Sequence, residues 1–283
     1  MLTTIYDESF EAYRHAEGLN KSGIDKLLLC PAEYKAAMEQ PAEPTPAMRF
    51  GSMFHARVLT PNLYVNAYHV MENDSRTKAG KDEKARAEGE GLELISQADF
   101  NRASAMLQSL HTHPKVDALL SRLPGDPEVS VYWEQDVDGE KIQAKGRVDR
   151  LAILPSGEVV AVDLKTTSGA LTPDAISRHV ATYGYHRQSA WYVHGLACQG
   201  LAVNAFVFVF VQTQAPYLCT AVTLDAEAEA LGKRECEMAA RIYRNCMKSG
   251  EWPSYSADIE EVGLPLWYDR ISPAASAMPT RFD

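Results

Sequence analysis

The sequence predicts an α/β fold in which a central mixed sheet is flanked by helices. Three observations carry that expectation. From Gly146 to Thr167, two apolar runs flank Pro155-Ser156-Gly157, the pattern of a β-hairpin with a short loop containing glycine. From Leu201 to Gln212 the chain holds Ala-Phe-Val-Phe-Val-Phe-Val, too β-rich for a helix and typical of a buried central strand. Ser96 to His111 (Phe100, Ala103, Met106, Leu107, Leu110) and Asp225 to Lys248 (Ala228, Leu231, Cys236, Met238, Ile242) repeat apolar residues at helical spacing.

The remaining elements follow in order. Ser22 to Tyr34 reads as a helix capped by Ser22 and ended or kinked by Pro31. Gln40 to Pro46, with three prolines, is a loop. Met48 to Leu59 is a buried helix, because Phe50, Met53, Phe54 and Val58 share a face. His55 adjoins that face, where a histidine is ordinarily a hydrogen-bonded core residue. Arg76, Lys78 and Lys81 enter another helix and suit either phosphate contact or a solvated loop. A short helix covers Pro114 to Leu123. Glu128 to Val137 is a strand running into an Asp138-Gly139 turn and an antiparallel meander that continues into the hairpin. Glu128, near the strand start, reads as a surface residue or a further carboxylate. Ser168 to Thr182 contains a short helix, and Tyr183 to Leu196 is a helix with Tyr185 and Gln188 on one face. Trp191 and Tyr192 continue it as packing residues. Pro216 to Leu224 is a further strand, and the tail after Gly250 is irregular.

The hairpin carries the chemistry. With a three-residue loop, pairing centres on Ser156, so Asp149 faces Asp163 and Lys165 shares their side of the sheet. A loop of two or four residues would put the two aspartates on opposite faces. Carboxylates about 5 Å apart at Cβ repel unless a cation lies between them. Oxygen ligands suit Mg²⁺ or Mn²⁺. An ammonium beside such a pair fits a site that also takes an anion such as phosphate, and it would position or deprotonate an attacking water.

Composition sets outer limits. The 283 residues, 46% hydrophobic, are enough for one large domain or two small ones. No apolar run is long enough to span a bilayer, and the start lacks the pattern of a signal peptide. Five widely spaced cysteines without a Cys-x-x-Cys suggest reduced thiols in cytoplasm. A net charge of −10 argues against a general nucleic-acid binder unless a local basic channel exists or the acidic residues hold metal.

Taken together, the motifs resemble the PD-(D/E)xK nuclease superfamily. Within it they resemble the branch containing the nuclease domain of RecB, and above all the RecE-type exonucleases (exodeoxyribonuclease VIII) of phages and prophages. The resemblance rests on the order of Ser22…Cys30-Pro-Ala-Glu-Tyr34, Phe50-Gly-Ser-Met-Phe-His55, Arg76-Thr-Lys-Ala-Gly-Lys81, Gly146-Arg-Val-Asp149, Asp163-Leu-Lys165 and Tyr185-His-Arg-Gln188.

It implies a PD-(D/E)xK core with a helical N-terminal elaboration, as a single nuclease domain over 1–283. Residues 1–125 would be the mainly helical part with the His55 helix, 126–250 the catalytic core and 251–283 an irregular tail. It implies that His55, Asp149 and Asp163 bind Mg²⁺, with Mn²⁺ able to replace it, together with the Leu164 backbone carbonyl. Lys165 would position or activate water, and Gln188 and Tyr185 would orient Lys165 and the scissile phosphate. Glu128 matches an acidic position only loosely. Some relatives hold an iron–sulfur cluster. Cys198, Cys219, Cys236 and Cys246 lie too far apart in sequence for one, so none is expected.

The implied activity is 5′→3′ digestion of linear double-stranded DNA to leave 3′ single strands. A ring-shaped homo-oligomer and a single-strand annealing partner of the RecT type are implied with it. The competing readings are a Cas4-like or restriction-type endonuclease, a catalytically silent DNA-end-binding protein on the same fold, and a metal hydrolase of small phosphoesters.

Overall fold

In the computed structural model, residues 3–5, 8–40, 42–265 and 268 are described. The chain opens with strand β1 (Thr3–Ile5) and helices α1 (Phe10–His15), α2 (Lys21–Leu29), α3 (Pro31–Glu39), α4 (Pro46–Leu59) and α5 (Pro61–Ala67). Strand β2 (Tyr68–Val70), α6 (Lys78–Gly89), β3 (Glu93–Ile95), α7 (Gln97–Thr112) and α8 (Pro114–Asp117) follow, the last running into a π turn over Ala118–Arg122. Next come β4 (Gly125–Val137), β5 (Glu140–Ile153), β6 (Val159–Thr167), α9 (Pro173–Tyr183), α10 (Tyr185–Cys198), β7 (Ala205–Gln212), β8 (Cys219–Val222) and α11 (Ala226–Ser249).

One mixed sheet has the order β1-β4-β5-β6-β7-β8. β4, β5 and β6 are an antiparallel meander, β6 and β7 run parallel, and β8 returns antiparallel. The first turn of the meander is Asp138-Gly139, both residues at positive φ, as a two-residue hairpin requires. The second has the expected three-residue loop. Leu154 N–H donates to Glu158 O, Gly157 N–H to Leu154 O, and Gly157 takes φ +86°. Helices α9 and α10 make the crossover between the parallel strands.

Alternation along β7 explains the two cores. Phe206, Phe208 and Phe210 face α10 and α11 with Trp133, Trp191 and Leu196. Val209 and Val211 face α4 and α7 with Phe54, Met106, Leu110 and Leu164. Each fully buried side chain of this kind stabilises the fold by about 1.5–3 kcal/mol.

Several expectations are corrected. The cap of α2 is Asn20, whose side chain accepts from Gly23 N–H at 2.8 Å, rather than Ser22. Pro31 starts a new helix, since its missing N–H costs nothing at a first position. The strand expected over 201–212 begins at Ala205, because Asn204 lies outside it and caps its neighbour by accepting from Val159 N–H. That expected over 216–224 shrinks to 219–222. On α11, Leu231 and Met238 are 42% and 50% exposed, while Gly232, Cys236, Ala239 and Ala240 are buried. Small residues win that face because the helix axes approach closely: a Cβ on Gly232 would sit 2.2 Å from the His186 carbonyl oxygen of α10. β1, the β2–β3 pair and α5 were not foreseen. Within the described part of the tail, Trp252 stacks on Tyr34, and Pro253 O accepts from Ala32 N–H.

Candidate active site

The β5–β6 ladder is paired from Ile153↔Val159 to Arg150↔Val162. One residue further the same register sets Asp149 against Asp163, and there the strands part. β6 stays paired to β7 as far as Thr167↔Gln212. On the β5 side, Leu164 N–H donates to the Asp149 carboxylate (Oδ2, 2.7 Å) in place of a strand carbonyl. In extended backbone a residue's N–H and C=O point the same way, so the Leu164 carbonyl also faces this fork.

Asp163 is buried, its side chain 1% exposed, against 19% for Lys165. Its Oδ1 touches Lys165 Nζ at 2.5 Å, and its Oδ2 accepts from Gln188 Nε2 of α10. The Lys165 contact is ionic only, and Oδ1 makes no well-angled hydrogen bond. Lys165 Nζ lies 4.8 Å from the centre of the Tyr185 ring, which in turn packs on Phe208 at 5.5 Å. Gly184 makes this possible: at φ +62° it breaks α9 from α10 and starts α10 with Tyr185 one turn before Gln188.

From the other face of the sheet, α4 brings His55, with Nδ1 3.5 Å from Asp149 Oδ2. Burial pushes the Asp149 carboxyl well above the ordinary range, and the Asp163 charge adds to it. Burial also pulls His55 down, helped by the Lys165 charge, while the Leu164 carbonyl resists. Burial would lower Lys165 too, but Asp163 and Asp149 outweigh it and raise it. The two carboxylates thus favour the ammonium form of Lys165.

Glu128 stands in register with Asp149 on the far side of β5, between the pairs Pro127↔Arg150 and Val129↔Val148. Its φ is +53°, a strained value for a residue with a side chain. Its carboxylate goes to Arg147 Nε at 2.7 Å, and its charge still adds to the rise at Asp149. Three acidic residues therefore cross three neighbouring strands.

Oxygen donors of this kind suit a hard divalent cation. The repulsion of Asp149 by Asp163 is a feature a cation would relieve. The residues fit such an ion as a donor set. Among the described residues, however, no three His, Cys, Asp or Glu side chains are already grouped to hold a metal. A cation would compete with Lys165, Gln188 and Leu164 N–H for these oxygens.

His55, Glu128, Asp149, Asp163, Leu164, Lys165, Tyr185 and Gln188 are thus brought together. Arg76, Lys78 and Lys81 are not: they are exposed at the start of α6, and Arg76 is turned onto Asp74 at 2.6 Å. All five cysteines are free thiols. No helix among the described residues is long and apolar enough to cross a membrane.

Two residues at the fork were missed. Arg147 also reaches Ser130 Oγ and Glu8 O, and strand alternation puts it on the Asp149 side, which was readable. Lys21, at the first position of α2, lies 5.8 Å from the Tyr185 ring centre. A cation there opposes the helix dipole, and that was the available signal.

The family described as a PDDEXK-like domain of unknown function (DUF3799) matches residues 20–264. No curated protein matches. Among solved structures, a protein of Eubacterium rectale provisionally named an exonuclease is 15% identical, with 94% of this chain and 98% of that one covered and a TM-score of 0.58. That likeness is one of fold. SSO0001 is 14% identical, with 82% and 81% covered and a TM-score of 0.38. A phage-related exonuclease of Haemophilus somnus 129PT is 14% identical, with 85% and 100% covered and a TM-score of 0.35. Scores below 0.5 do not establish a common fold.

Proposed function

This chain belongs to the PDDEXK-like domain family, and from that premise we propose that it is a divalent-metal-dependent exodeoxyribonuclease acting on the ends of linear double-stranded DNA. One observation carries the reading: Asp149 and Asp163 meet where β5 and β6 part, with Lys165 on the same carboxylate that Gln188 holds. Asp149, Asp163, the Leu164 carbonyl and His55 would hold Mg²⁺, with Mn²⁺ able to replace it. When bound, the ion supplies a more acidic water and neutralises charge on the phosphoryl group.

The chain's own residues do the rest. Lys165, a protonated ammonium against Asp163, offsets phosphoryl negative charge. Gln188 fixes the Asp163 carboxylate, and the Tyr185 ring fixes the Lys165 side chain. The neutral His55 ring orients Asp149 from the opposite side. Glu128, oriented by Arg147, adds negative charge at the fork and is a supporting ligand in this reading. Arg76, Lys78 and Lys81 would contact DNA outside the fork.

The motif resemblance to RecE-type enzymes supports the finer statements. These are 5′→3′ polarity, 3′ single-stranded products used in recombination by strand annealing, a ring-shaped homo-oligomer and a RecT-type partner. A second reading, a silent DNA-end-binding protein, is favoured by one observation: both Asp163 oxygens are engaged by protein groups. The deciding experiment compares linear, nicked and closed circular duplexes, with and without 5′-phosphate, in Mg²⁺ and in chelator. Metal-dependent loss of the linear duplex alone supports the exonuclease. Cutting of closed circles points to an endonuclease, and binding without cutting to the silent protein.

A further inference from the structure

Next to Lys165 the fork has a second cation and an exposed ring that the roles above leave unused. Because Gly184 breaks the helices, Tyr183 ends α9, Tyr185 begins α10, and their rings stack with centres 5.7 Å apart and planes 20° apart. Tyr185 is the inner ring, carrying Lys165 and Lys21 at 4.8 and 5.8 Å. Tyr183 is the outer one and is 51% exposed. His179 also touches it, with ring centres 5.4 Å apart at a 51° tilt, so the half-exposed ring keeps part of its surface open to solvent.

Lys21 is held in place. It donates to the Tyr183 carbonyl and pairs with Asp25 at 2.7 Å, with its side chain still 15% exposed. Asp25 is shared, since its other oxygen pairs with Arg187 at 2.8 Å. Three cations, Lys21, Lys165 and Arg187, therefore gather around two tyrosines. Burial holds Lys21 below the ordinary lysine range, and the like charges of Lys165 and Arg187 act in the same direction against Asp25. An anion at Lys21 would relieve that repulsion. A half-exposed flat ring beside such a cation is the pairing that single-stranded nucleic acid uses, with phosphate on the cation and base on the ring.

We propose that Lys21 and Tyr183 form a step that holds the unpaired strand of a DNA end. Lys21 contacts a phosphate neighbouring the one at Lys165, and the exposed Tyr183 ring stacks on a base of the same strand. This rests on the nuclease reading for its ligand and goes beyond it by naming residues that hold the strand without cutting it.

The test uses the full chain with a fluorescein-labelled 12-nucleotide single strand in chelator. Affinity is read by anisotropy across a salt series, and Mg²⁺-dependent digestion of linear duplex is read separately. Tyr183→Ala is expected to weaken binding about 10-fold and Tyr183→Phe to leave it within about twofold, because stacking needs the ring alone. Lys21→Gln is expected to weaken binding about 10-fold and reduce the salt slope by about one, with Lys21→Arg restoring most of it. In digestion, both losses appear as a raised KM with kcat little changed.

Unchanged affinity in Tyr183→Ala and Lys21→Gln overturns the proposal, as does a Tyr183→Phe defect equal to that of Tyr183→Ala. Should Tyr183→Ala unfold, Tyr183→Trp decides: equal or tighter binding supports the step, and weaker binding overturns it. A wild-type chain that binds through these residues yet digests nothing in Mg²⁺ or Mn²⁺ keeps this inference and ends the nuclease reading. Digestion that neither variant disturbs does the reverse.

Discussion

Asp149 and Asp163 face each other across the point where β5 and β6 part, and each is held by a different kind of partner. Asp163 is tied to side chains, Lys165 and Gln188. Asp149 is tied to the backbone N–H of Leu164 and flanked by His55. The charge of Asp163 is balanced by an ammonium, and among the described residues no lysine or arginine pairs with Asp149. Without a bound ion Asp149 is therefore the costly member of the pair, and it is the one whose carboxyl is pushed up.

That cost has a pH signature. A free aspartate titrates near pH 4, about 3.9, and folding raises Asp149 above that. Between the two values the folded chain holds more protons than the unfolded one, so stability falls as pH rises through that window. His55 acts with the opposite sign, its lowered folded value costing stability as pH drops below about 6.5. Asp149→Asn keeps the oxygen that accepts Leu164 N–H and removes the charge. In chelator at pH 7 the variant is expected to melt a few degrees above the wild type, with the gap closing toward pH 4. Melting curves from pH 4 to 8 check this. Added Mg²⁺ should raise the wild-type midpoint and not that of the variant.

Gln188 holds the carboxylate that Lys165 touches. Gln188→Ala leaves Asp163 free to turn and is expected to lower metal affinity or activity about 10- to 100-fold, the range for residues that orient ligands. Gln188→Glu adds a fourth carboxylate to Asp149, Asp163 and Glu128 and should do worse. Calorimetric titration of Mn²⁺ into each variant reads the affinity directly.

The close approach of α10 and α11 supports the same residues from behind. At Gly232 a methyl group meets the His186 carbonyl at 2.2 Å, a contact with backbone that cannot swing away. Gly232→Ala is expected to cost about 1–3 kcal/mol, as overpacking does, and to reduce digestion because α10 carries Tyr185 and Gln188. Denaturant melts and digestion rates measured together test the coupling.

How much of this was legible in the sequence follows from where the determinants lie. The Asp149–Asp163 relation was readable because Pro155-Ser156-Gly157 fixes a three-residue loop and alternation then fixes every face. The Tyr185–Gln188 pair was readable from helical spacing. The parting of β5 and β6 was not, since it depends on Asp149 taking a strand hydrogen bond for its side chain. The buried face of α11 was misread because small residues, Gly232, Ala239 and Ala240, were chosen for closeness of approach and not for hydrophobicity. The ion pair between Glu128 and Arg147 needed the left-handed backbone at Glu128, which no local pattern announces. The stack of Tyr183 on Tyr185 likewise depends on the left-handed turn at Gly184.

The segment before α6 makes a separate prediction. Glu83, 7% exposed, accepts from Glu72 N–H and Asn73 N–H and meets His69 Nε2 at 2.7 Å. The backbone hydrogen bond from Glu72, with the His69 contact, pulls its carboxyl down to about 2. A lowered folded value gives stability that is fully present above about pH 4.3 and is lost as pH falls from there through about 2. Glu83→Ala is expected to speed amide exchange at residues 72 and 73, where hydrogen-exchange mass spectrometry reads it, while exchange in β6 stays unchanged.

The central claim is that the carboxylates at the fork serve phosphodiester hydrolysis, and Asp163→Ala addresses it most directly. Linear duplex is incubated with wild type and variant in Mg²⁺, with binding measured in parallel. The account predicts metal-dependent digestion by the wild type, its loss in the variant, and DNA binding kept by both. A wild type that digests nothing in any divalent metal, or a variant that digests as fast, would contradict it.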